Sequence, residues 1–210
     1  IMAFNPKNFE IDRENALEYY VMLVLHEMNH IMVFSDNLFQ YFVDSNYKPL
    51  KVLTKKVMIN GIERNVIATP KVVEKAKTHF GCDSLEGVEL ENQGGSGTAS
   101  AHWEARTLLG DYMIGLSFDD VAISGITLAL FEDSGWYKTN YYTGGLFKFG
   151  KNQGCGMLFN KCITNNIPVS RNDYCSKTSE SLCQTNRMGR GFCYITNSAN
   201  PDNTNYMYFN

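Results

Sequence analysis

The feature that most constrains this chain is a pentad, His26-Glu27-Met28-Asn29-His30, approached by the apolar run Val21-Met22-Leu23-Val24-Leu25. Leu17, Val21, Val24, Leu25, Met28 and Met32 recur at helical spacing, which predicts an α-helix with an apolar stripe. Asp12 can cap it, and Glu14 adds negative charge to its first turn, where the helix dipole favours it. Met22, Leu23 and Ile31 widen the stripe until the helix is apolar nearly all round, so it is expected to be buried. Residues four apart share one helical face. Both imidazoles can therefore reach a single Zn2+ at about 2.0–2.1 Å. Glu27 is placed to take a proton from a metal-activated water and poorly placed to be a ligand itself. Two histidines and a glutamate inside a buried helix need partners. A metal supplies them, whereas an ordinary core helix leaves Glu27 unexplained.

Length and composition narrow the remaining classes. The chain has 210 residues, 44% hydrophobic and 13% aromatic, enough for one or two domains with a sizeable core. A net charge of −3 without any Lys/Arg block argues against nucleic acid as a partner. The longest nearly apolar stretch, residues 121–131, is too short and too broken by Gly and Ser to span a bilayer. A zinc-peptidase helix normally needs a sheet beside it, and little sequence precedes the pentad. The chain is thus expected to be a piece of a longer protein. Cysteines fall at 82, 155, 162, 175, 183 and 193, and their density in a Gly/Asn/Ser/Thr-rich tail reads as a disulfide framework from an oxidising compartment. A second zinc site is disfavoured, because no C-x-x-C pair occurs and no histidine follows His102.

Beyond the pentad, residues 51–59 and 64–68 read as strands around an Asn60-Gly61 turn. Thr69-Pro70 opens a second helix, ending at Gly81. Residues 92–100 form a small-residue loop. A third helix is expected at about residues 124–134, closed by Gly135 with Trp136 packing beyond the cap. From Phe147 periodicity fades into the cysteine-rich tail.

A catalytic zinc site usually has three protein ligands and an open position. A short spacing would put the third at Asp36. The two other histidines are His79, expected at the surface among lysines, and His102, delivered by the glycine-rich loop.

At this point the sequence resembles the leishmanolysin family of metzincin zinc endopeptidases, over nearly its whole length. The pentad with Phe34-Ser35, then Phe80-Gly81-Cys82, Leu85-Glu86 and Glu91-Asn92-Gln93-Gly94-Gly95-Ser96-Gly97 carry the likeness. Asp111-Tyr112-Met113, Phe131-Glu132-Asp133-Ser134-Gly135-Trp136-Tyr137 and Asn152-Gln153-Gly154-Cys155-Gly156 extend it in order. The resemblance implies an α+β, metzincin-like core with a long insertion before the third ligand and a disulfide-rich C-terminal segment. It divides the chain into residues 1–35, the end of an N-terminal catalytic subdomain; 36–160, a central subdomain; and 161–210, the start of a Cys-rich region. It implies one Zn2+ held by His26, His30 and His102, Glu27 as catalytic base, and Met113 as the methionine packed beneath the metal. It also implies disulfides Cys82–Cys155 and Cys175–Cys193, with Cys162 and Cys183 pairing outside the chain.

The implied chemistry is hydrolysis of peptide bonds in protein or peptide substrates, by a zinc-activated water whose proton passes through Glu27 to the leaving amine. The implied setting is extracellular or at the cell surface, with any membrane association through parts outside this chain. One residue departs from the family pattern: Val33 stands where the family has glycine. At positive φ a β-branched residue costs roughly 1–2 kcal/mol; otherwise the helix runs on and turns at Ser35-Asp36-Asn37. Val33 also gives weight to an alternative, a non-catalytic binding or adhesion module on the same scaffold. A second alternative keeps the zinc hydrolase but makes Asp36 the third ligand.

Overall fold

The computed structural model describes residues 5–10, 12, 14–51, 53–92, 98–116, 121–144, 146–184 and 187–195. The pentad lies on α1, Ala16–Met32. Its start differs from expectation. Asn15, at φ 58°, occupies the cap position without a side-chain bond, and the acidic residue of the first turn is Glu18. Asp12 and Glu14 precede the helix.

Burial of α1 also needs correction. Its one fully buried residue is Asn29, while Leu17 is 78% and Ile31 58% exposed. Periodicity reports which face is apolar, and not whether anything covers it. Here the pentad end rests on the body of the molecule, and Leu17, Val21, Leu25, Met28 and Ile31 form an outward apolar stripe.

The helix stops at Val33, fully buried at φ −153° and ψ −39°. That backbone is outside the left-handed region, so the valine carries none of the strain that a glycine position would impose. Val33 and Phe34 both send their N–H to the Asn29 carbonyl. A short helix α2, Asp36–Phe39, follows from Ser35.

Strands β1 (Thr54–Ile59) and β2 (Ile62–Ile67) form an antiparallel hairpin, joined by β3 (Val88–Glu89) in the order β1-β2-β3. Asn60 and Gly61 take φ 51° and 80°, the twist a two-residue hairpin turn requires. Between β2 and β3 lies α3, Pro70–Phe80, ended by Gly81 at φ 69°. Thr69 makes no side-chain cap bond. Asp133 accepts the Lys71 and Val72 N–H groups instead, at 3.1 and 2.9 Å. It comes from α5, Gly125–Asp133, which follows the short helix α4, Ala105–Leu108, so a single carboxylate caps α3 and fastens it to α5. At the other end of α3 the His79 and Phe80 carbonyls accept from the Asn152 and Gly154 N–H groups. Disulfide Cys82–Cys155, Cα atoms 4.8 Å apart, then ties α3 to α6, Cys155–Phe159.

Helix α5 begins as expected at Ser124, whose hydroxyl accepts from the Thr127 N–H, and closes before Gly135 at φ 76°. Trp136 packs its ring 5.3 Å from that of Phe42. The core gathers Phe34, Phe42, Phe80, Trp103, Met113 and Phe149. Among its described residues the tail holds two small hairpins, β4–β5 (Ile163–Thr164, Ile167–Pro168) and β6–β7 (Ser181–Cys183, Arg190–Phe192). Cys175–Cys193 crosses it, and Cys162 and Cys183 are unbonded. The mixture is α+β with two disulfides. In the expected 92–100 loop, residues 93–97 lie outside the described residues.

Candidate metal centre

Helix α1 supplies two histidines one turn apart, and a distant turn supplies the third. His102 follows a turn at residues 98–101 and precedes Trp103, which bridges Leu90 on one side and Ile114 on the other. The ligand-capable atoms of His26, His30 and His102 all lie within 4.8 Å of one another. Nε2 of His26 stands 3.0 Å from that of His30 and 3.1 Å from that of His102. For bonds of about 2.0–2.1 Å, tetrahedral ligands stand about 3.3 Å apart, so the spacing suits Zn2+.

Each ring turns its other nitrogen to a backbone carbonyl: His26 Nδ1 to Tyr112 at 2.5 Å, His30 to Phe34 at 2.9 Å, His102 to Thr98 at 3.1 Å. A carbonyl only accepts, so each Nδ1 carries the proton and each Nε2 presents a lone pair. Three lone pairs facing one another at such separations repel unless a cation lies between them. Burial, the larger cause, holds His26 below its ordinary pKa, opposed by the bond to the Tyr112 carbonyl; a neutral ring is what a metal needs.

The segment Asp111-Tyr112-Met113 meets the site through Tyr112, whose carbonyl faces His26 and whose side chain lines the cleft. Met113 is fully buried; its N–H donates to Asp111 at 2.7 Å and its carbonyl accepts the Trp103 N–H at 3.0 Å. The methionine thus sits in a segment fastened to His26 through Tyr112 and to His102 through Trp103. Asp111 also accepts from the Ser124 N–H and the Thr127 hydroxyl. Burial pushes its carboxyl up to about 6 against those donors. Tyr112 takes a bond from Asn29 Nδ2 on its hydroxyl at 2.6 Å.

Beside the histidines opens a cleft of about 240 Å³, lined by Glu27, Tyr19, Met22, Leu23, Ile114 and Val121 among others. Glu27 is exposed to it and is not among the converging ligand atoms. The other two ligand candidates stand apart. Asp36 is exposed, with its carboxylate accepting the Asn37 N–H at 2.7 Å. His79 is half-buried, contrary to its expected surface position; its Nε2 meets the Phe149 carbonyl at 2.8 Å and its ring packs on Phe80 and Phe147. Lysines dominate its neighbourhood in sequence, but the helix turns it inward.

Sequence reading assigned no role to Asn29, Tyr112 or Glu91, whose hydrogen bonds join the segments carrying the three histidines; Tyr112 also lines the cleft. A buried asparagine on an otherwise apolar face was the one signal available for this group.

Among protein families, the leishmanolysin peptidase model matches residues 1–210. The chain is 36% identical over 183 residues to a leishmanolysin homolog of Crithidia fasciculata, covering 84% of this chain and 26% of that protein. It is 33% identical to a leishmanolysin-like peptidase of Drosophila melanogaster, covering 82% of this chain and 31% of the relative. Leishmanolysin of Leishmania tropica is 29% identical, over 89% of this chain and 28% of its own length. The chain therefore spans between a quarter and a third of the length of these relatives.

Proposed function

The chain belongs to the leishmanolysin family of zinc metallopeptidases, and we propose that it carries the metal centre of an endopeptidase acting on proteins or peptides. One observation carries the reading: three Nε2 atoms converge while every Nδ1 is committed to a carbonyl. His26, His30 and His102 would hold one Zn2+. When bound, the ion supplies polarisation of the scissile carbonyl and a more acidic water.

The remaining work falls to this chain's own residues. Glu27, at the cleft, takes the proton of the attacking water on a carboxylate oxygen and delivers it to the leaving amine nitrogen. Met22, Leu23, Ile114 and Val121 give the cleft apolar walls that shed water from a bound peptide. Asp111 and Tyr112 hold their segment in register with α1. Met113 fills the space beneath the rings.

The metzincin-like core belongs to the same proposal, with α1 closing residues 1–35, the insertion and third ligand in 36–160, and the Cys-rich region from 161. Two disulfides favour an extracellular or cell-surface setting. Among the described residues no helix is long and apolar enough to cross a membrane. The non-catalytic alternative drew on Val33, which adopts φ −153° and imposes no left-handed strain on the pentad.

Glu27→Gln is the deciding variant. It should retain zinc while peptide hydrolysis falls by about 10²-fold or more. Undiminished hydrolysis by metal-replete variant protein would end the assignment of Glu27.

A further inference from the structure

His26 and His30 are aimed by one helix; His102 arrives on a turn in a distant part of the chain and has no such frame. Its Nδ1 faces two acceptors. One is the Thr98 carbonyl at 3.1 Å, and the other is Oε2 of Glu91 at 3.2 Å. Both side chains are sheltered, 9% exposed for His102 and 12% for Glu91.

Glu91 is fixed there by its backbone. Its N–H donates to the His102 carbonyl at 2.9 Å, and its carbonyl accepts the Ser100 N–H at 2.7 Å. The turn presenting the ring is therefore closed by the residue whose carboxylate meets the ring. The seat for that carboxylate is made by a missing side chain. A Cβ on Gly115 would stand 2.2 Å from Oε2, and Gly115 follows Met113 by two residues. Oε2 itself is buried and, among the described residues, makes no hydrogen bond, so its contact with Nδ1 is one of charge. A buried carboxylate oxygen left so is costly, and the Nδ1–H dipole 3.2 Å away offsets part of that cost.

We infer that Glu91 is the positioning residue for the third metal ligand. The inference rests on the three-histidine reading above. Its carboxylate lies 3.2 Å from Nδ1 and favours the tautomer protonated there, with the Nε2 lone pair turned to His26 and His30. It also sets a negative charge one ring away from the cation. A carbonyl does the first of these, but only a carboxylate does the second, making the imidazole a stronger donor. The same charge lowers the net positive charge of the loaded centre, which favours retention of the metal in a sheltered site.

The test is zinc affinity, measured by competition with a chromophoric chelator. Glu91→Gln keeps the shape of the side chain and removes its charge; it should weaken zinc binding about 10–100-fold. Gly115→Ala leaves Glu91 chemically intact but forces its carboxylate aside, and it should weaken binding in the same direction. The urea midpoint of metal-free Glu91→Gln should be no lower than that of the unsubstituted chain, and the Co2+-loaded variant should show shifted absorption bands. Wild-type affinity in folded Glu91→Gln, or loss only in proportion to unfolding, overturns the inference. His102→Ala separates the two levels. If it binds zinc as tightly as the unsubstituted chain, the three-histidine reading fails first; if it loses zinc while Glu91→Gln does not, only the role of Glu91 fails.

Discussion

His26 donates its Nδ1 proton to the backbone carbonyl of Tyr112, 2.5 Å away and 86 residues further along the chain. Asn29, one helical turn on, reaches the hydroxyl of the same tyrosine. The pentad helix and the Asp111-Tyr112-Met113 segment are thus joined twice at one residue. The two joints differ in what a substitution can remove, since the first uses backbone and the second a side chain.

Tyr112→Phe should leave zinc stoichiometry intact, because the carbonyl that orients His26 remains. It deprives the buried Asn29 amide of its acceptor and should lower stability by about 1–3 kcal/mol. Urea unfolding of the metal-free protein, beside a zinc assay, reads both effects. Loss of zinc with unchanged stability would mean that the hydroxyl acts on the metal centre itself.

Asp133 caps α3 from α5. Asp133→Ala should cost about 0.5–2 kcal/mol, the usual range for a lost cap, with α3 and α5 loosening together. Amide hydrogen exchange across residues 70–80 and 125–133 checks this; loosening of α3 alone would deny the coupling.

The two free-standing histidine readings separate by substitution. His102→Ala should abolish tight zinc binding, and His79→Ala should not, because its ring is spent on the Phe149 carbonyl and on packing against Phe80 and Phe147. Metal content by mass spectrometry under native conditions distinguishes them.

Glu89 predicts a pH dependence. Burial, the main cause, with the nearby Glu104 charge adding to it, pushes its carboxyl from 4.5 up to about 8. An acid raised on folding binds its proton more tightly in the native state. Its favourable contribution is therefore complete below about pH 4.5, declines as pH rises, and is gone above about pH 8. Glu89→Gln should flatten the fall in urea midpoint between pH 5 and 8.5. An equally steep fall in the variant would place the titrating group elsewhere.

Much of the site was legible because it is written in local spacing. Residues 26 and 30 share a helical face whatever the rest of the chain does, and Asn60-Gly61, Pro70-Gly81 and Ser124-Gly135 mark their own turns and caps. His102 required the ordered family blocks, since spacing alone left Asp36 and His79 open. What escaped depends on partners far apart in sequence. Asp133 capping α3, Gly115 making room for Glu91 and His79 turning inward cannot be seen in any local window. The start of α1 was misplaced because Asp12 has the right chemistry for a cap while Asn15 has the backbone conformation that ends the preceding turn. The exposed stripe of α1 escaped for the opposite reason: an apolar pattern states a demand for burial and does not name what meets it.

The most direct measurement of the metal centre is zinc K-edge X-ray absorption on the loaded protein. Three imidazole nitrogens and one oxygen at about 2.0–2.1 Å are expected, an open catalytic shell. A shell of two imidazoles, or one closed by a sulfur at about 2.3 Å from Cys162 or Cys183, would contradict the assignment of His26, His30 and His102 as the ligands of a catalytic zinc.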